Sequence, residues 1–147
     1  HCGKMGCLET GASGSAVHRI FMEKLKEGRT SMLSDKYNKG EVIHIEEIIE
    51  AVNEEDVLAI EVIEEIGTTL GRAIAGLINL FNPELIVIGG NIATTKEYLL
   101  LPIKSAIQKH SLNIINSDTT LKFSKLGRKA GAIGSCMLSR SKLLGLL

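Results

Sequence analysis

The sequence contains no tryptophan, and aromatic residues make up only 3% of its 147 positions. A core of ordinary size must therefore be assembled from Ile, Leu, Val and Ala. Neither sign of charge dominates, since 17 Lys and Arg balance 17 Asp and Glu. That removes the electrostatic footprint of a nucleic-acid-binding surface from these residues. No apolar run approaches the roughly 18 residues that a membrane span needs, and the opening residues carry no apolar leader. Three cysteines, an odd count, argue against a disulfide scaffold. The expectation is a protein of the reducing cytoplasm with no membrane contact.

What is present is helical periodicity. Val17, Ile20, Phe21 and Leu25 recur at helical spacing, so one helix is expected from Leu8 to about Lys26, stopped by Gly28. The polar stretch from Arg29 to Glu41 reads as a solvated excursion. Ile45, Ile48, Ile49 and Val52 then mark one face of a short helix over 45–53. A longer helix is expected over 56–81, and its second half, TTLGRAIAGLINLF, is apolar or small on every side. Such a stretch predicts burial all round, with Gly67, Gly71 and Gly76 admitting a second backbone or a ligand. Leu85–Ile88 is an unbroken apolar run, the pattern of a strand covered on both faces. A helix over 96–109, a strand over 120–126 and a helix over 130–146 follow. Strand, helix, strand implies a parallel pair, and two strands are too few for a free-standing sheet of that kind.

Two short stretches carry candidate chemistry. In HCGKMGCLET, Cys2 and Cys7 lie five apart with Gly3 and Gly6 between them. Glycines permit the tight knuckle that presents two thiolates to tetrahedral zinc; the same residues also read as two free thiols. Glu9, two residues past Cys7, reads equally as a first-turn helix glutamate favoured by the helix dipole. Gly89 and Gly90 end the apolar strand, where a plain turn needing positive φ is the simplest account. Cys136 reads as a small buried apolar residue. His18, His44 and His110 share no spacing that suggests a relay and read as surface or helix-face residues.

CGKMGCLET, PELIVIGGNI and KAGAIGS, in this order, together resemble the ROK family of repressors and sugar kinases. The resemblance implies an α/β architecture, the carboxy-terminal lobe of the actin-like, ribonuclease H-like sugar kinase fold, with residues 1–147 as one domain. It implies that Cys2 and Cys7 are two ligands of a zinc ion in the full-length protein. The family's other cysteine and its histidine ligand would precede His1, which puts zinc in this chain alone in doubt. It implies that Glu9 contacts sugar hydroxyls, since a carboxylate accepts paired hydrogen bonds from vicinal hydroxyls. In a kinase, Gly89 and Gly90 would lie against the nucleotide. The kinases' phosphate loop and catalytic aspartate would likewise fall upstream, so the chain by itself is expected to be inactive as an enzyme.

Within that family the tail MLSRSKLLGLL and the segment 29–56 resemble the repressors more than the kinases. The expectation is the effector-binding and oligomerising portion of a transcriptional regulator, with a sugar or sugar phosphate as effector. DNA would be reached only through an upstream domain, and the assembly would be a homodimer or larger. The alternative is the carboxy-terminal half of an ATP-dependent sugar kinase of the glucokinase type.

Overall fold

Ser13 interrupts what periodicity alone reads as one helix. In the computed structural model, which describes residues 6–112 and 118–145 with the Arg128 side chain excepted, Ser13 is extended at φ −104° and ψ 174°. Its hydroxyl accepts the Ala16 amide at 3.3 Å. A serine in that conformation starts a helix rather than continuing one. The chain therefore forms α1 (Leu8–Ala12) and α2 (Gly14–Lys26).

The polar excursion is not free in solvent. It contains α3 (Ser34–Asn38), and Leu33 and Tyr37 pack against the core. Two helices follow, α4 (Ile45–Asn53) and α5 (Val57–Phe81). Side chains pin the excursion to both of them. Both carboxylate oxygens of Glu61 accept from the Arg29 guanidinium at 2.8 Å, and Lys36 pairs with Glu47. The Asp56 carboxylate caps α5 by accepting the Ala59 amide at 2.8 Å, and its second oxygen accepts the Met32 amide at 2.7 Å. Charge that reads as solvation along the chain is thus spent on anchoring in space.

The long helix ends at Asn82, which is left-handed at φ 44° just before Pro83. Then come β1 (Leu85–Ile88), a 3-10 turn over Asn91–Thr95, α6 (Glu97–His110), β2 (Thr120–Phe123), a second 3-10 turn over Gly127–Lys129, and α7 (Ala130–Leu143). The strands pair in parallel, with Leu85 opposite Thr120 and Ile88 opposite Phe123. One sheet face, carrying Ile86, Ile88, Leu121 and Phe123, packs on the core. The other exposes Leu85 at 49% and Val87 at 57%, which corrects the expectation of a strand buried on both faces. Among the described residues no layer covers that face.

The core lies among α2, α4, α5 and α6, with Phe21, Ile48, Ile63, Ile66, Leu99 and Ile103 fully buried. The α5–α6 contact depends on two glycines. A Cβ on Gly67 would stand 2.6 Å from Pro102 Cγ, and one on Gly71 would stand 2.7 Å from Ala106 Cβ. Because 67 meets 99–102 and 71 meets 103–106, the two helices run in the same direction. Gly76 meets nothing within 4 Å, and Leu77, Leu80 and Phe81 are exposed, so the last turns of α5 are not buried all round. α7 contains no buried residue, and Cys136, expected inside, is exposed. Among the described residues, no helix is long and apolar enough to cross a membrane.

Candidate functional site

The chemistry-bearing residues fall in two places. At the first, Cys7 occupies the N-cap of α1 and its carbonyl accepts from the Thr10 amide at 3.1 Å and the Thr10 hydroxyl at 2.7 Å. Its thiol is free and exposed. Glu9 stands in the first turn of α1, exposed, where the unpaired amides of a helix start favour a carboxylate. A five-residue helix does not hold itself, and α1 is held by its neighbours. The Arg19 guanidinium of α2 donates to the Thr10 carbonyl at 3.1 Å, and Gly11 lies against Thr69 of α5.

Cys2 lies outside the described residues. Among the described residues no three His, Cys, Asp or Glu side chains lie close enough to hold a metal. An exposed cysteine at a helix N-cap leaves its sulfur open to a metal ion, and sulfur is a donor that tetrahedral zinc accepts. Cys7 therefore fits one position of a zinc site whose remaining donors must come from elsewhere.

The second place is the turn after β1. Gly90 has φ +95° and ψ 175°, a conformation closed to L side chains, so the expectation of positive φ holds there. Gly89 is not left-handed, and a Cβ on it would sit an ordinary 3.7 Å from Ser124 Cβ. Gly90 forms one wall of a hollow of about 220 Å³, completed by Asn91 and Thr94 of the following turn, Glu46 and Ile49 of α4, and Gly127 beyond β2. Only Gly90 of this group stands out in the sequence. Gly127, at φ +51°, follows a strand and carries a faint turn signal, whereas Glu46 and Ile49 arrive from across the fold and carry none. Glu9 does not line this hollow.

The histidines divide by partner. His18 is half-buried, and its Nε2 lies 2.9 Å from the Ile43 carbonyl, so it ties α2 to the chain entering α4. His44 caps α4, donating its amide to Glu47 at 2.8 Å. The Lys36 ammonium and then this amide hold the Glu47 carboxyl below its ordinary range.

A model of the ROK family matches residues 1–142. A glucokinase of Halalkalibacterium halodurans is 37% identical over 97% of this chain and 43% of its own length. The DNA-binding transcriptional dual regulator NagC of Escherichia coli is 37% identical over all of this chain and 35% of its own. A solved ROK family transcriptional regulator, a homologue of Escherichia coli Mlc, superposes on 84% of this chain and 30% of its own with a TM-score of 0.76 and 41% identity. The chain thus spans less than half the length of these proteins. Their architecture is the expected one, a helix-rich α/β lobe of the actin-like sugar kinase fold.

Proposed function

We propose a function from one premise: the chain belongs to the ROK family. On that premise it is the effector-binding and oligomerising part of a sugar-responsive transcriptional regulator. The observation that carries this reading is the 41% identity to a solved ROK regulator over 84% of the chain. A sugar or sugar phosphate is the effector, and Glu9 accepts hydrogen bonds from its hydroxyls. Cys2 and Cys7 supply two of the four donors of a structural zinc ion, which anchors the chain leading into α1 and so aims Glu9. Operator DNA is contacted by a separate domain, and the working form is a cytoplasmic homodimer or larger assembly.

The second reading is an ATP-dependent sugar kinase. It rests on the 37% identity to a glucokinase and on the hollow beside Gly90, where a missing side chain leaves room for a nucleotide. Gly89 and Gly90 would then flank that nucleotide.

The coding sequence around this span separates the two. A winged-helix segment with a degraded phosphate loop is the expected finding, whereas an intact phosphate loop with an Asn-Asp pair would replace the regulator by a kinase. The role of Glu9 is tested by calorimetric titration of the intact protein with candidate sugars. Glu9→Gln should weaken sugar binding about tenfold or more, as loss of a charge-assisted hydrogen bond does. Unchanged affinity would remove Glu9 from the site.

A further inference from the structure

The basic residues of the chain are used unevenly. Arg19, Lys24, Arg29 and Lys36 each pair with a glutamate. Most of the other described basic residues have no carboxylate within ion-pair distance, and what sets Arg72 and Lys109 apart among them is that they share a groove. Both line one groove of about 400 Å³ between α5 and α6, together with Thr68, Ser105 and His110. The groove exists because Gly71 lets Ala106 approach α5, which brings the flanking residues of both helices alongside one another.

Helix electrostatics explains part of this set. Lys109 and His110 occupy the last turn of α6, where a cation offsets the helix dipole. It does not explain Arg72, which sits in the interior of α5, far from either end. The Thr68 hydroxyl donates to the Glu64 carbonyl at 2.9 Å and keeps its oxygen lone pairs, while the Ser105 hydroxyl has no partner among the described residues. Glu64, the one acid of the lining, is two helical turns back from Arg72, about 12 Å along the axis.

We propose that the Arg72–Lys109 end of this groove binds a phosphate group, free or as the ester of a small molecule. The planar guanidinium of Arg72 suits two oxygens of the anion, Lys109 supplies a mobile point charge, and Ser105 donates a neutral hydrogen bond. The site is separate from Glu9 and from the Gly90 hollow and does not depend on the regulator reading.

The test is an amide-resolved NMR titration of the 147-residue chain at low ionic strength, with inorganic phosphate in one arm and glycerol 3-phosphate in the other. Saturable shifts centred on Arg72, Ser105 and Lys109 are expected. The double variant Arg72→Gln/Lys109→Gln should bind at least about tenfold more weakly with an unchanged far-ultraviolet spectrum, both side chains being exposed. Ser105→Ala should weaken binding by a smaller factor. Tighter binding of the ester assigns the groove to an organic phosphate, and equal binding assigns it to the free anion. No saturable shift, shifts spread over the surface, or undiminished binding by the double variant would overturn the proposal.

Discussion

The α2–α6 body and the α7 helix are made of similar residues and are held very differently. In the body, apolar side chains from four helices interlock, and ion pairs fasten the 29–41 excursion to α4 and α5. In α7, Ile133, Met137, Leu138 and Leu143 are equally apolar, yet none is buried. Composition is therefore no guide to which region contributes stability; the neighbours of each side chain decide it. An isolated helix of 14 residues is marginal in water, so α7 depends on whatever lies against it.

The largest effect should separate these two regions directly. Phe21→Ala removes a fully buried ring and should cost about 3–5 kcal/mol in denaturant unfolding. Met137→Ala should stay within about 0.5 kcal/mol. If Met137→Ala approached the cost of Phe21→Ala, α7 would be covered in solution, and a loss of that cost on dilution would identify the cover as another copy.

A finer comparison lies within α5. Gly71→Ala gains helix propensity but drives its methyl to 2.7 Å from the Ile103 carbonyl and from Ala106 Cβ. Overpacking wins, and a net loss of about 1–3 kcal/mol is expected from the shift in unfolding midpoint. Gly76→Ala meets nothing within 4 Å and should stabilise by up to about 1 kcal/mol. Equal effects at the two glycines would mean that the α5–α6 contact is looser than described.

The smallest effect concerns acid. The Glu47 carboxyl is held below its ordinary value in the folded chain, first by Lys36 and then by the His44 amide. A depressed folded pKa means that the unfolded chain binds the proton more readily. The contribution is therefore complete above the unfolded value and lost as pH falls through the folded one. Glu47→Gln should lower stability slightly at neutral pH, where the ionised carboxylate contributes, and converge with the parent at low pH, so that its acid limb is slightly flatter. An identical acid limb in the two proteins would show that Lys36 does not act on Glu47.

Much of the fold was legible because its signals are local. Ile45, Ile48, Ile49 and Val52 repeat at helical spacing and define α4 to the residue, and Asp56 and Asn82-Pro83 bracket α5. Where reading along the chain failed, the deciding contact came from elsewhere. Ser13 splits a periodic run because its hydroxyl reaches forward to an amide. Arg29 and Lys36 look solvated until Glu61 and Glu47 are placed beside them. Leu85 and Val87 read as buried because apolar runs usually are, and the sequence of a strand does not record what covers it. The same holds for the candidate sites. Gly90 announces itself as a turn, whereas Glu46 and Ile49 become its neighbours only through folding.

The break at Ser13 has a mechanical consequence. Cys7 and Glu9 ride on a single helical turn whose direction is set by Arg19 and by the contact of Gly11 with α5, not by continuity with α2. Replacing Arg19 or enlarging Gly11 would therefore act on the seating of that turn, whereas Phe21 is buried in the core that α2 shares with α4 and α5.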